Sequence, residues 1–140
     1  MSTGKWILAT SVLFLTAGCE KAKDFHYFIQ NDTRDELTVF VDYSISARGK
    51  KGSDTLAIAP DHKKRVFTHS GLGGFYTGAI EKVRFSGTDT LRQEWRNRDQ
   101  AEISKHFFRR KSWELIYRDD GEEHYQFIVR AEDLQMDDEG

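Results

Sequence analysis

Among 140 residues there is one cysteine, one proline and no surplus of either charge: 21 Lys+Arg stand against 23 Asp+Glu, for a net charge of −2. A single cysteine excludes an intramolecular disulfide framework and any multi-cysteine zinc or iron–sulfur site. The near balance of charge argues against generic nucleic-acid binding. No apolar run reaches the about 20 residues that a membrane-spanning helix requires. No unit of about 20–50 residues repeats, which excludes solenoids and propellers. What the chain does have is 38% hydrophobic and 13% aromatic residues, enough to fold rather than remain disordered. Its length suits one domain of about 100–150 residues.

The first 18 residues read as a leader, apart from the fold. Lys5 supplies a positive start, and Trp6 to Leu15 form an apolar stretch of signal-peptide length. Small residues Ala17 and Gly18 then precede Cys19. Leu15-Thr16-Ala17-Gly18-Cys19 resembles a bacterial lipoprotein lipobox, with Thr16 departing from the leucine most usual there. The resemblance implies cleavage before Cys19, a diacylglyceryl group on its thiol and acylation of the new amino terminus. Two or more acyl chains give stable anchoring where one gives only marginal binding. By analogy with enterobacterial sorting, Glu20 favours the outer over the inner membrane. Residues 19–24 are then the lipidated cysteine and a short tether, and the five residues after Cys19 reach at most about 17 Å.

Residues 25–136 carry the folded pattern, with an acidic tail at 137–140. Period-2 alternation dominates. Leu37, Val39, Val41, Tyr43 and Ile45 alternate with polar or outward positions, and Phe25 to Ile29 precede them across a turn at Asn31 to Asp35. Further strands are expected at Thr55 to Ile58, ended by Pro60, and at Lys64 to His69. Ile80 to Phe85 and Thr88 to Trp95 read as a hairpin around Ser86-Gly87. Trp113, Leu115 and Tyr117 are expected to share one face, and Tyr125, Phe127 and Val129 another, joined by the turn Asp119-Asp120-Gly121-Glu122. Asp99 to Phe108 reads as one short helix or irregular crossover. The expectation is a mainly β protein, a single antiparallel β-sandwich of seven or eight short strands, with a partly open β-barrel as the alternative.

The mature chain also resembles the small β-rich lipoproteins common in Bacteroidota. The likeness rests on Ile29-x-Asn31-x-Thr33 after an aromatic first strand, Asp54-Thr55-Leu56-x-Ile58-x-Pro60, Gly71-x-Gly73-Gly74, Ser112-Trp113-Glu114, and Tyr125-x-Phe127-x-Val129 before Glu132-Asp133-Leu134. It implies a sandwich-like lipoprotein domain and carries no activity.

Catalytic motifs are absent. Ser70 lies in no Gly-x-Ser-x-Gly elbow, and Gly71-x-Gly73-Gly74 lacks the Lys-Ser/Thr of a phosphate loop. The five histidines, His26, His62, His69, His106 and His124, form no His-x-His or His-x-x-x-His pair and are expected on polar, partly exposed faces. No catalytic residue, cofactor or metal ligand is therefore assigned. Charge is more telling. Residues 92–118 hold eight basic and four acidic side chains, whereas residues 119–140 hold one basic and nine acidic. Either the two segments complement each other, or Arg92, Arg96, Arg98, Arg109, Arg110 and Lys111 form a patch for an anionic ligand such as lipid headgroups, lipopolysaccharide phosphates or acidic glycan. Phe75 and Tyr76, after the glycine-rich loop, are a candidate aromatic platform or an anchor onto the core.

The expected function is a lipid-anchored envelope protein, non-enzymatic, binding an envelope protein or glycan and no nucleic acid. Two alternatives are inhibition of a hydrolase such as lysozyme and hydrolysis of envelope glycan. The first rests on Ser70-Gly71-x4-Tyr76, which is similar to the Ser-Gly-x-x-Tyr loop of membrane-bound lysozyme inhibitors but longer by two residues.

Overall fold

Among the described residues, alternating burial builds nine strands into two stacked sheets. The computed structural model describes residues 21–44, 52–88, 91–98 and 105–136. The leader, Cys19, Glu20, most of the expected 99–108 helix and the acidic tail lie outside the described residues. The strands are β1 (Lys23–Asp32), β2 (Leu37–Tyr43), β3 (Gly52–Ile58), β4 (Lys63–Gly71), β5 (Ile80–Ser86), β6 (Leu91–Arg96), β7 (Glu114–Arg118), β8 (Glu122–Arg130) and the two-residue β9 (Gln135–Met136). One sheet has the order β4-β1-β8-β7 and the other β3-β2-β5-β6-β9. Together they make a β-sandwich, and among the described residues the sheets do not close into a barrel.

The inward residues are those that the alternation marks. Phe25, Tyr27 and Ile29 of β1 face Leu37, Val39 and Val41 of β2 across the sandwich, all buried. Tyr125, Phe127 and Val129 of β8 join Val83 and Phe85 of β5 and Trp95 of β6 in the same core. Phe127 lies at its centre, ringed by Phe85, Trp95, Phe107 and Trp113. Trp95, although flanked by the charged Glu94 and Arg96, is buried. Residues 105–108 do not continue a helix; Phe107 and Phe108 turn into the core before a single 3-10 turn, Arg110–Ser112.

Two connections depart from a simple reading. The turn at Asn31 to Asp35 does not join paired strands, because β1 and β2 belong to different sheets. Its anchor is Asn31, fully buried, whose Nδ2 donates to the carbonyls of Asp35 and Ile58, each at 2.8 Å. Its Oδ1 accepts from the Thr33 amide at 3.0 Å and the Thr33 hydroxyl at 2.6 Å. The next crossing, from β3 to β4, passes through Asp61 at φ 60°, whose amide donates to the Asn31 carbonyl; Asp tolerates that left-handed region better than most residues.

The sheets are also not wholly antiparallel: β1 pairs with β8 in parallel, with His26 opposite His124. Finally, β7 slips register against β8 between Leu115 and Tyr117. Leu115 stays opposite the inward Tyr125, but Tyr117 comes opposite the outward His124 and is 46% exposed. The expected shared face of Trp113, Leu115 and Tyr117 is thus broken, because an extra residue in a strand turns every later side chain to the other face.

Candidate functional site

A histidine cluster and a cleft lie toward one end of the sandwich. β1 starts there, its Lys23 opposite Gly71 at the end of β4. The β7–β8 turn lies there too, with the Asp24 amide donating to the Gly121 carbonyl. After the crossing 72–79, β5 begins at the same end, so β2 and β6, antiparallel to it, finish there. β1 begins four residues after Cys19 in the sequence, so the chain enters the sandwich at this end. Each large hydrophobic side chain counted as exposed among the described residues, Leu72, Tyr76, Ile116 and Tyr117, lies in a segment at this end.

The outer face of the β4-β1-β8-β7 sheet carries a histidine cluster. Register places His26 and His124 side by side on β1 and β8, ring centroids 4.9 Å apart. Glu122, two residues before His124, points to the same face. Its Oε2 is 3.2 Å from His124 Nε2, and its Oε1 is 3.8 Å from His26 Nε2. Phe28 and Tyr117 flank the His124 ring, at 5.4 and 4.8 Å. The Tyr117 hydroxyl donates to Asp119 at 2.6 Å. That bond, the amides of Gly121 and Glu122, and the nearby His124 hold the Asp119 carboxyl below its usual range, while Asp119 in turn pushes Tyr117 up. The His26 Nε2 is buried and has no hydrogen-bond partner among the described residues.

On the other sheet, the ends of β2 and β6 and the starts of β3 and β5 enclose an open cleft of about 730 Å³. Lys82, Arg96 and Arg98 line it, together with Tyr43, Asp42 and Glu81. Lys82 is shared between Asp42 at 3.4 Å and Glu94 at 3.9 Å, and Arg96 pairs with Glu94 at 3.2 Å. Burial pushes the Tyr43 hydroxyl up to about 12, with Asp54 adding to the shift.

The six basic positions singled out in the sequence do not share one surface. Arg92 and Arg96 project from the same face of β6, and Arg98 follows in the turn beyond it. Arg110 lies flat on the core aromatics, its guanidinium 4.7 Å from the Tyr125 ring centre and 5.8 Å from that of Phe75, while donating to the Trp113 carbonyl. Arg109 precedes it as the cap of the 3-10 turn, and Lys111 is exposed within that turn. The aromatic loop is divided as well. Phe75 packs against Tyr27, Trp113 and Tyr125, whereas Tyr76 stays 46% exposed and leans on His69.

One expectation is corrected: His106 is buried rather than partly exposed, its Nδ1 accepting from the Phe108 amide. Ser70 is the next-to-last residue of β4, and its hydroxyl donates to Asp24 at 2.6 Å. The pairing of His26 with His124 escaped sequence reasoning because it depends on parallel register between distant strands. The one local signal was Glu122-x-His124, a spacing that puts both side chains on one face of a strand. Compared with known proteins, the chain matches no family model, no curated protein and no solved structure.

Proposed function

We propose that the protein is a lipid-anchored component of the cell envelope, in the outer membrane, attached through Cys19. It works as a non-enzymatic binding module held close to the bilayer, with the cleft that Lys82, Arg96 and Arg98 line as its ligand site. The ligand class is an anionic, phosphate-bearing envelope component. The observation that carries this reading is the position of the cleft, at the end of the sandwich to which the short tether leads. Arginine suits that ligand class, since its planar fork binds phosphate oxygens in pairs. The exposed Leu72, Tyr76, Ile116 and Tyr117 at the same end supply apolar and amphipathic contacts toward the lipid.

Cys19→Ser is expected to move the protein from the membrane fraction to the soluble fraction; retention in the membrane would contradict the anchor. The cleft is tested separately in that soluble variant, by co-sedimentation with vesicles containing phosphatidylglycerol. Near an anionic surface each cation contributes about 1 kcal/mol, so Arg96→Gln with Arg98→Gln should weaken binding about 30-fold. Raising the salt from 0.1 to 1 M, which shortens the screening length from about 10 to about 3 Å, should do likewise. Binding that ignores both changes would remove the anionic ligand from the reading.

A further inference from the structure

We infer that His26, Glu122 and His124 form a binding site for one divalent transition-metal ion, with zinc as the matching chemistry. The donor set is two imidazoles and one carboxylate, one ligand atom from each lying within 4.8 Å of the others. Imidazole donors favour zinc and its neighbours over magnesium or calcium, which prefer all-oxygen shells. Zinc bonds of about 2.0–2.2 Å to nitrogen and oxygen put tetrahedral ligand atoms about 3.3 Å apart. The two contacts that Glu122 makes, 3.2 Å to His124 Nε2 and 3.8 Å to His26 Nε2, already lie near that spacing. Closing the widest pair, at most 4.8 Å, requires side-chain rotation of about 1.5 Å, with no change in the strands.

The cost of leaving the site as it stands argues in the same direction. A buried ring nitrogen without a partner carries an uncompensated desolvation penalty. His26 Nε2 is such an atom, and it faces the Glu122 carboxylate. A metal ion between them satisfies both. The opposite nitrogen of the ring, Nδ1, lies 3.3 Å from the Thr68 hydroxyl, which can accept its proton and so fix Nε2 as the ligand atom. Arg65 Nη1 also lies 3.4 Å from Nδ1, and its exposed side chain would have to turn to solvent for that proton to be in place. His124 is held from both sides by Phe28 and Tyr117. The Glu122 side chain is 45% exposed and that of His124 27%, so the fourth position opens to water.

The test is calorimetric titration of zinc chloride into the detergent-solubilised full chain after chelator treatment, repeated on Cys19→Ser to keep the result independent of lipidation. One equivalent per chain is expected. His26→Gln and His124→Ala should each weaken it more than 100-fold, beyond the about 10–100-fold that loss of an outer-shell partner costs. Glu122→Gln should also weaken it, and His62→Ala, outside the cluster, should leave it unchanged. Circular dichroism checks that each variant is folded, and His124→Ala, at the more exposed histidine, decides the matter if His26→Gln unfolds. Cobalt in place of zinc should give the intense visible absorption of a four-coordinate ion. Absence of stoichiometric uptake, uptake that His124→Ala leaves intact, or a weak six-coordinate cobalt spectrum would each overturn the site.

Discussion

Phe127→Ala is expected to reduce the unfolding free energy by about 3–5 kcal/mol, measured by urea denaturation. The side chain is fully buried on β8, and its ring meets Trp95, Phe107 and Trp113, each at 5.4 Å between centroids, and Phe85 at 6.2 Å. The Lys105 ammonium lies 5.1 Å from the ring centre, and the same lysine pairs with Asp133. Phe127 therefore joins both sheets to the 105–113 segment. Its neighbours are large, rigid rings that cannot collapse into the space, so the cavity cost adds to the lost burial. Against a typical total of about 5–15 kcal/mol, the loss leaves little stability. Phe127→Leu, which keeps most of the volume, should cost less. A loss below about 1.5 kcal/mol for the alanine variant would show that the centre of the core lies elsewhere.

Asn31→Ala should cost about 2–4 kcal/mol, although it removes only a small side chain. Asn31 uses both amide hydrogens and accepts two hydrogen bonds, which satisfies every bond it can readily make. Truncation strands the carbonyl of Ile58 and leaves the Asp35 carbonyl and Thr33 amide short of a partner, at about 1–3 kcal/mol for each buried group left unpaired. Asn31→Asp should be at least as damaging near neutral pH. It turns both donors into acceptors, opposes a carboxylate to two carbonyls and buries a charge. Thr33→Ala should cost only about 1 kcal/mol, since its hydroxyl bonds lie nearer the surface. Equal losses for Thr33→Ala and Asn31→Ala would mean that the turn, not the buried amide, joins the sheets.

Much of this architecture can be read from alternation alone, because a half-buried strand must place apolar groups every second residue. Leu37, Val39 and Val41, like Tyr125, Phe127 and Val129, point inward as the pattern requires. Alternation reports which face is buried and not which sheet owns the strand. The Asn31 turn therefore carried no sign that it takes the chain from one sheet to the other. Nor does alternation foresee a slipped register, which is how Tyr117 came to stand beside His124. The candidate sites were less legible for a related reason. Arginines adjacent in sequence diverged once Arg110 found two aromatic rings, whereas His26 and His124, far apart in the chain, became neighbours through strand pairing. Phe75 and Tyr76 alternate in direction, so one anchors the loop and the other is left outside.

The parallel pairing of β1 with β8 also sets when the protein can fold. β1 has β4 on one side and β8 on the other, and β8 is the last long strand of the chain. A nascent chain lacking its final quarter holds β1 with one edge unpaired and without Phe127 to fill the core. The full pairing of the first strand thus waits for β8, and the long loop that must close makes folding slow. A chain that folds from its amino terminus therefore cannot complete its first sheet until the carboxyl-terminal strand has joined β1.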